Sequence, residues 1–282
     1  MINEKEKVIK INELSRDMQK EILKGYGYAI AYIDNPDKEL QLIAIKQNGL
    51  ALQYINNPDK DVQLEAVKQD GQALAFINNP DRDVQLEAVK EDGLALGFIE
   101  NPDRELQLIA VKQNGYSIRH IINPDKSVQL EAVKEDGSSI QFIDNPDKSV
   151  QLEAIKEDGF AIRFIDNPDK EVQLTVVKED GLAIQFIDNP EKEVQLEAVK
   201  EDGLSIRFIN NPDKEVSDRI KIYKTSHRTI YVFRDDDGKF KFSIGCQKNI
   251  SKEIFLWRIY NLDGGLEANP HRQEYLEILK QY

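Results

Sequence analysis

One unbroken step of 22 residues constrains this chain more than anything else in it. Prolines stand at Pro36, Pro58, Pro80, Pro102, Pro124, Pro146, Pro168, Pro190 and Pro212, and glycines at Gly27, Gly49, Gly71, Gly93, Gly115, Gly137, Gly159, Gly181 and Gly203. No insertion breaks either series. A fixed period in the twenties marks a solenoid, in which each unit touches only its neighbours.

Residues 57–78, NPDKDVQLEAVKQDGQALAFIN, show what one unit encodes. Asn57 reads as a helix N-cap and Pro58 as the first helical residue, where a missing N–H costs nothing. Asp59 and Asp61 then fall in the first turn, where the helix dipole favours anions. Gly71 reads as the left-handed residue that stops the helix. The segment QALAFIN predicts a second, shorter helix or a single 3₁₀ turn, too short to persist alone.

At 100° per residue, Val62, Gln63, Leu64, Ala66 and Val67 share one arc, with Gln63 at its centre. That glutamine recurs as Gln41, Gln85, Gln107, Gln129, Gln151, Gln173 and Gln195. A buried amide must be hydrogen-bonded. A structural ladder is expected, each Gln bonding backbone or the Gln of the next unit; a polar ligand channel is the rival reading.

The core phrase of residues 44–55, AIKQNGLALQYI, repeats in part as Ala110-Val111-Lys112-Gln113-Asn114-Gly115. It resembles an uncharacterised short helical repeat, a domain of unknown function in bacterial, phage and some giant-virus proteins. The resemblance covers about residues 28–216. It implies an α-helical array and no activity.

The expected fold is an all-α solenoid of eight to nine 22-residue two-helix repeats, HEAT-like or leucine-rich-variant-like, with a small α+β C-terminal cap. Residues 1–31 read as an N-terminal helical cap, with Ser15 as N-cap. Residues 32–216 are the solenoid. Residues 217–282 leave the period and read as a ββαα module: TIYVF and KFKFSIG flank the turn RDDDG. Ser251 caps one helix there, Asn269-Pro270 opens another, and Phe255, Trp257 and Ile259 are its expected core.

Charge is unevenly placed. Residues 32–216 hold 20 Lys and Arg against 37 Asp and Glu, a net of −17, while the remainder is +4. An acidic solenoid repels nucleic acid. Its carboxylates either solvate the outer helix face, attract a basic protein surface, or imitate nucleic acid. The opening MINEKEKVIKINEL has no apolar run, so no signal peptide or membrane span is expected, and a single cysteine fits a cytoplasmic setting.

No catalytic, cofactor-binding or metal-binding residues are expected. Cys246, His227 and His271 lack the spacing of a nucleophilic pair or of a four-ligand zinc site. They read as a small buried thiol and surface histidines, and RDDDG reads as a tight turn rather than a calcium loop.

Functional signal is sought where the repeat varies. Two outward positions of the short helix pair as Leu50/Gln53, Gln72/Ala75, Leu94/Gly97, Tyr116/Arg119, Ser138/Gln141, Phe160/Arg163, Leu182/Gln185 and Leu204/Arg207. The most irregular unit has His120 in place of an aromatic read as a core position, and Ile122 where polar residues are usual. Tyr116, Arg119, His120, Ile122, Phe160, Arg163 and Arg207 are therefore the candidate partner-binding residues, since aromatics and Arg dominate binding hot spots. On the long helix, Ile43, Ile109 and Thr175 replace a Glu read as outward-facing, typified by Glu131, Glu153 and Glu197. The function expected is a non-enzymatic scaffold or inhibitor that binds a protein partner. An acidic nucleic-acid-mimicking decoy and an enzyme using the C-terminal module are the alternatives. Oligomeric state is left open.

Overall fold

Asn57 adopts φ 51°, a left-handed conformation that asparagine tolerates better than most residues. It turns the chain into Pro58, and helix Lys60–Gln69 starts two residues later than the sequence suggests. The N-cap is Asp59, whose carboxylate accepts the Val62 N–H at 3.1 Å. Asn57 is thus a turn residue, and the Asn-Pro-Asp triplet is one device: turn, rigid φ, cap.

The helix ends at Asp70, in extended backbone, with its N–H on the Ala66 carbonyl at 3.0 Å. The Asp70 side chain accepts from Gln72 N at 2.9 Å and so opens the 3₁₀ helix Gly71–Phe76. Gly71 is not left-handed. A Cβ there would lie 2.6 Å from the Ala88 carbonyl oxygen of the next unit. The glycine is required by close approach between units rather than by helix termination.

The computed structural model describes residues 11–245, 247–262 and 269–282. They fall into two compact units, 1–144 and 145–282. The first holds six α/3₁₀ pairs, from helix Arg16–Gly25 with 3₁₀ Gly27–Tyr32 to helix Lys126–Glu135 with 3₁₀ Gly137–Phe142. Ser15 caps the first helix, and residues 16–32 are built like the units that follow. The second holds three more pairs, from helix Lys148–Glu157 to 3₁₀ Gly203–Phe208, and then helix Lys214–Arg219. Residues 1–10, part of the expected N-terminal cap, lie outside the described residues.

From helix Lys38–Gln47 to 3₁₀ Gly181–Phe186 each pair buries the same positions, typified by Val62, Ala66 and Val67 from the helix and Ala73, Leu74 and Ile77 from the 3₁₀ segment and its exit. Gln63 is only half-buried. Its Nε2 donates to the Pro58 carbonyl of its own unit at 2.8 Å, and Gln129 does the same to Pro124 at 2.9 Å. The glutamine ladder therefore staples each helix to its own Asn-Pro turn. Contact with the next unit comes at Gln195, whose Oε1 accepts from Asp213 N at 2.9 Å.

Charges bridge successive units at the helix starts. Lys60 reaches Asp81 at 3.4 Å and Asp83 at 2.7 Å; Arg82 reaches Asp103 and Glu105, both at 2.9 Å. In residues 145–282, Lys170 pairs with Glu191 and Glu193, and Lys192 with Glu215. Exposed pairs contribute little individually, but the row ties up much of the acidic charge. Glu131, Glu153 and Glu197 are half-buried and each lies within salt-bridge range of a Lys, so they are not the open outer face expected. Ile43, Ile109 and Thr175 are half-buried as well.

After helix Lys214–Arg219 comes an antiparallel sheet in the order β1-β2-β3-β4: β1 Ile220–Lys224, β2 Thr229–Arg234, β3 Phe240–Ile244 and β4 Gln247–Ser251. The expected hairpin is β2–β3. Its turn is closed by Asp235, whose carboxylate accepts Lys239 N at 2.7 Å, with Gly238 at φ 76°. Sequence reading missed β1 and β4, which are short and polar. Helices Lys252–Asn261 and Arg272–Leu279 cover the sheet. Phe255 and Ile259 are buried with Ile230, Val232, Phe242 and Tyr275, but Trp257 is 58% exposed and does not belong to the core.

The sheet stands where a further repeat would. Asn249 Oδ1 accepts from Gly203 N at 3.2 Å, and its amide donates to the Lys200 carbonyl. Gln113 treats the unit before it in the same way, accepting from Gly93 N at 2.7 Å and donating to the Glu91 carbonyl at 3.3 Å. Lys248 adds an ion pair to Asp180 at 2.9 Å.

Candidate functional site

The 3₁₀ helices present the variable face. With three residues per turn, positions i and i+3 eclipse. Within a unit, Leu52 and Ile55 point into the core, Leu50 is half-buried and Gln53 is exposed. The aromatic one residue further on is not a core position. Tyr54, Phe76 and Phe98 are 45%, 43% and 45% exposed. This stripe is what sequence reasoning missed. Its signal was an aromatic repeated beside an outward position on a helix too thin to bury it.

Of the predicted residues, Tyr116, Arg119, His120 and Ile122 lie together in residues 1–144. Tyr116 is half-buried and meets Phe142 of the next unit edge-on, ring centroids 5.6 Å apart. His120 lies over Gly97 of the preceding unit, where a Cβ would come within 2.9 Å of the imidazole. Burial, then the Arg119 charge, lowers the His120 pKa from its ordinary value. The neutral ring accepts from Arg119 Nε at 3.0 Å on Nε2, so its proton sits on Nδ1. Ile122 is 89% exposed. It edges a cleft of about 440 Å³ with Ile99, Glu100, Pro102, Gln107 and His120.

Phe160, Arg163 and Arg207 lie in residues 145–282, all exposed. Phe160 meets Phe186 edge-on at 6.3 Å, and the Arg163 guanidinium sits 4.5 Å above the Phe164 ring. Packing at Gly159 is more open than at Gly71 or Gly93. Val176 occupies the place of Ala66 and Ala88, and Gly159 meets nothing nearer than its Cγ2 at 3.9 Å.

His227 and His271, unrelated in sequence, stack with centroids 3.9 Å apart. Cys246 lies outside the described residues. Among the described residues no cluster of three or more His, Cys, Asp or Glu could hold a metal ion, and no helix is long and apolar enough to cross a membrane.

No curated protein and no solved structure matches the chain. A family model does match, over residues 37–80, 81–123 and 125–168. Each match spans two of the 22-residue units, the same doubled period that separates Arg119 from Arg163 and Arg163 from Arg207. Residues 37–168 thus match, as three tandem repeats, an uncharacterised family described as Domain of unknown function (DUF4116).

Proposed function

We propose that the repeat array is a non-enzymatic scaffold that binds a protein partner on its 3₁₀ face. The observation that carries the reading is the exposed stripe Tyr54, Phe76 and Phe98, together with the exposed Arg119 and Ile122. Exposed apolar surface of this extent on a chain otherwise rich in charge marks a contact surface, and Tyr, Phe and Arg supply most binding energy in such surfaces. Phe160, Arg163 and Arg207 offer the same chemistry in residues 145–282. Nucleic-acid mimicry is less well supported, because many helix-start carboxylates are already paired with Lys or Arg of the preceding unit.

The test is capture of a partner from cells of the source organism by two variants of the full chain. Phe76→Ser with Arg119→Glu and Ile122→Ser should lose the partner while melting like the parent. Glu91→Lys with Glu135→Lys, on exposed carboxylates, should retain it. The reverse order supports the decoy and defeats the proposal.

A further inference from the structure

The C-terminal module holds a second feature, independent of the repeat face. A cavity of about 530 Å³ lies between the sheet and its two helices, its described lining including His227, Arg228, Arg258, His271, Arg272 and Tyr275. Among the described residues its charged lining is basic: three arginines and two histidines. The surrounding repeats are strongly acidic, so this is a local reversal of charge.

The arginines differ in role. Arg272 is fixed in the wall, donating through Nη1 to the carbonyls of Arg258, Ile259 and Leu262 at 3.3, 3.3 and 2.7 Å. Arg228 runs over Gly245, which has φ 59° and no room for a side chain beneath the guanidinium. Among the described residues neither Arg228 nor Arg258 has a carboxylate partner. Glu274 accepts from the Ser226 N–H at 2.9 Å and from the Ser226 hydroxyl. Phe255, Ile259 and Tyr275 add an apolar, aromatic part to the lining.

We propose that this cavity binds a small phosphorylated organic molecule, its phosphate on Arg228 and Arg258 and its apolar part against Phe255, Ile259 and Tyr275. Guanidinium pairs suit phosphate oxygens because their N–H groups form a planar fork. The volume falls within the range of small-molecule sites, roughly 300–1,000 Å³. The stacked histidines add a pH response. Burial and then the neighbouring His227 disfavour a charge on His271; Arg272 and Arg228 add to this, and Glu274 opposes it. An anion in the cavity favours that charge, so binding strengthens as pH falls.

The experiment is calorimetric titration of the full chain with two probes, sulfate and adenosine 5′-monophosphate. Sulfate keeps its charge between pH 7.5 and 5.5, so any pH response belongs to the protein. Saturable binding is expected. Affinity for sulfate should rise several-fold on acidification. Both probes should weaken at least about tenfold, the equivalent of one lost charge-assisted contact, in Arg228→Gln and in Arg258→Gln, but not in Lys239→Gln on the β2–β3 turn. The nucleotide should bind more tightly than sulfate; equal affinities overturn the apolar half of the assignment. NMR of the three histidines guards against misfolded variants. Sulfate should shift the rings of His227 and His271 and leave His120 unmoved. Absence of saturable binding, unchanged affinity in both arginine variants, or unmoved His227 and His271 rings overturns the proposal.

Discussion

Gly71→Ala separates two accounts of the repeat glycine by comparison with Gly159→Ala. If the glycines were left-handed helix stops, alanine would cost a similar amount at both, on the order of 1 kcal/mol. Neither has positive φ. At Gly71 the new methyl would meet the Ala88 carbonyl oxygen at 2.6 Å, Asp92 Cβ at 2.8 Å and Asp92 N at 3.0 Å. Two of these are backbone atoms of a helix end that its own hydrogen bonds hold. The methyl must push two units apart, and overpacking of this kind costs about 1–3 kcal/mol. At Gly159 the nearest atom is Val176 Cγ2 at 3.9 Å, an ordinary contact. There alanine should be neutral, or stabilise by up to about 1 kcal/mol through a less flexible unfolded chain. Thermal unfolding followed by circular dichroism should show Gly71→Ala about 2–12 °C below the parent, using ~2–4 °C per kcal/mol for a chain of this size. Gly159→Ala should match or exceed it. Equal losses at both positions would refute the packing argument.

Ser117→Ala should stabilise by about 1 kcal/mol, because the Ser117 hydroxyl is buried without a hydrogen-bond partner and other units carry alanine there; denaturant titration measures it. Asn249→Ala should cost about 1–3 kcal/mol by leaving Gly203 N and the Lys200 carbonyl unpaired, and hydrogen exchange should rise first in residues 203–208. The Asp125 carboxyl is held far below its ordinary value, chiefly by the Ser127 hydroxyl, then by Val128 N–H and Arg104. A depressed folded-state pKa gives stability that is present above the unfolded value of 3.8 and lost as pH falls below it. Asp125→Ala should therefore lower the melting temperature at pH 7 and flatten its decline below pH 4.

The period, the two helices per unit and the sheet-bearing end were legible because they rest on local chemistry repeated many times over. Pro58 and Gly71 cannot be substituted freely, so their spacing announces the array. Their exact roles were less legible. Asn-Pro-Asp contains two good caps, and only the left-handed Asn57 shows which one the helix uses. Gly71 looks like a helix stop because its partner, the Ala88 carbonyl, belongs to the next unit and has no sequence signature. The candidate face was half-read. Arg119 and Ile122 stood out as departures from the repeat, but Tyr54, Phe76 and Phe98 were hidden by regularity, since a repeated aromatic reads as core. β1 and β4 escaped because their polar sequences, IKIYK and QKNIS, gain strand identity only from pairing with β2 and β3. The stacking of His227 on His271 joins β2's leading turn to the last helix, a contact that no spacing predicts.

The most direct test of the binding account is hydrogen–deuterium exchange of the full chain with and without its captured partner. The account predicts protection concentrated in the 3₁₀ segments 71–76, 93–98 and 115–120, with the helix-start segments that carry the ion-pair row unchanged. Protection confined to those helix starts, with the aromatic stripe exchanging as in the free chain, would contradict it.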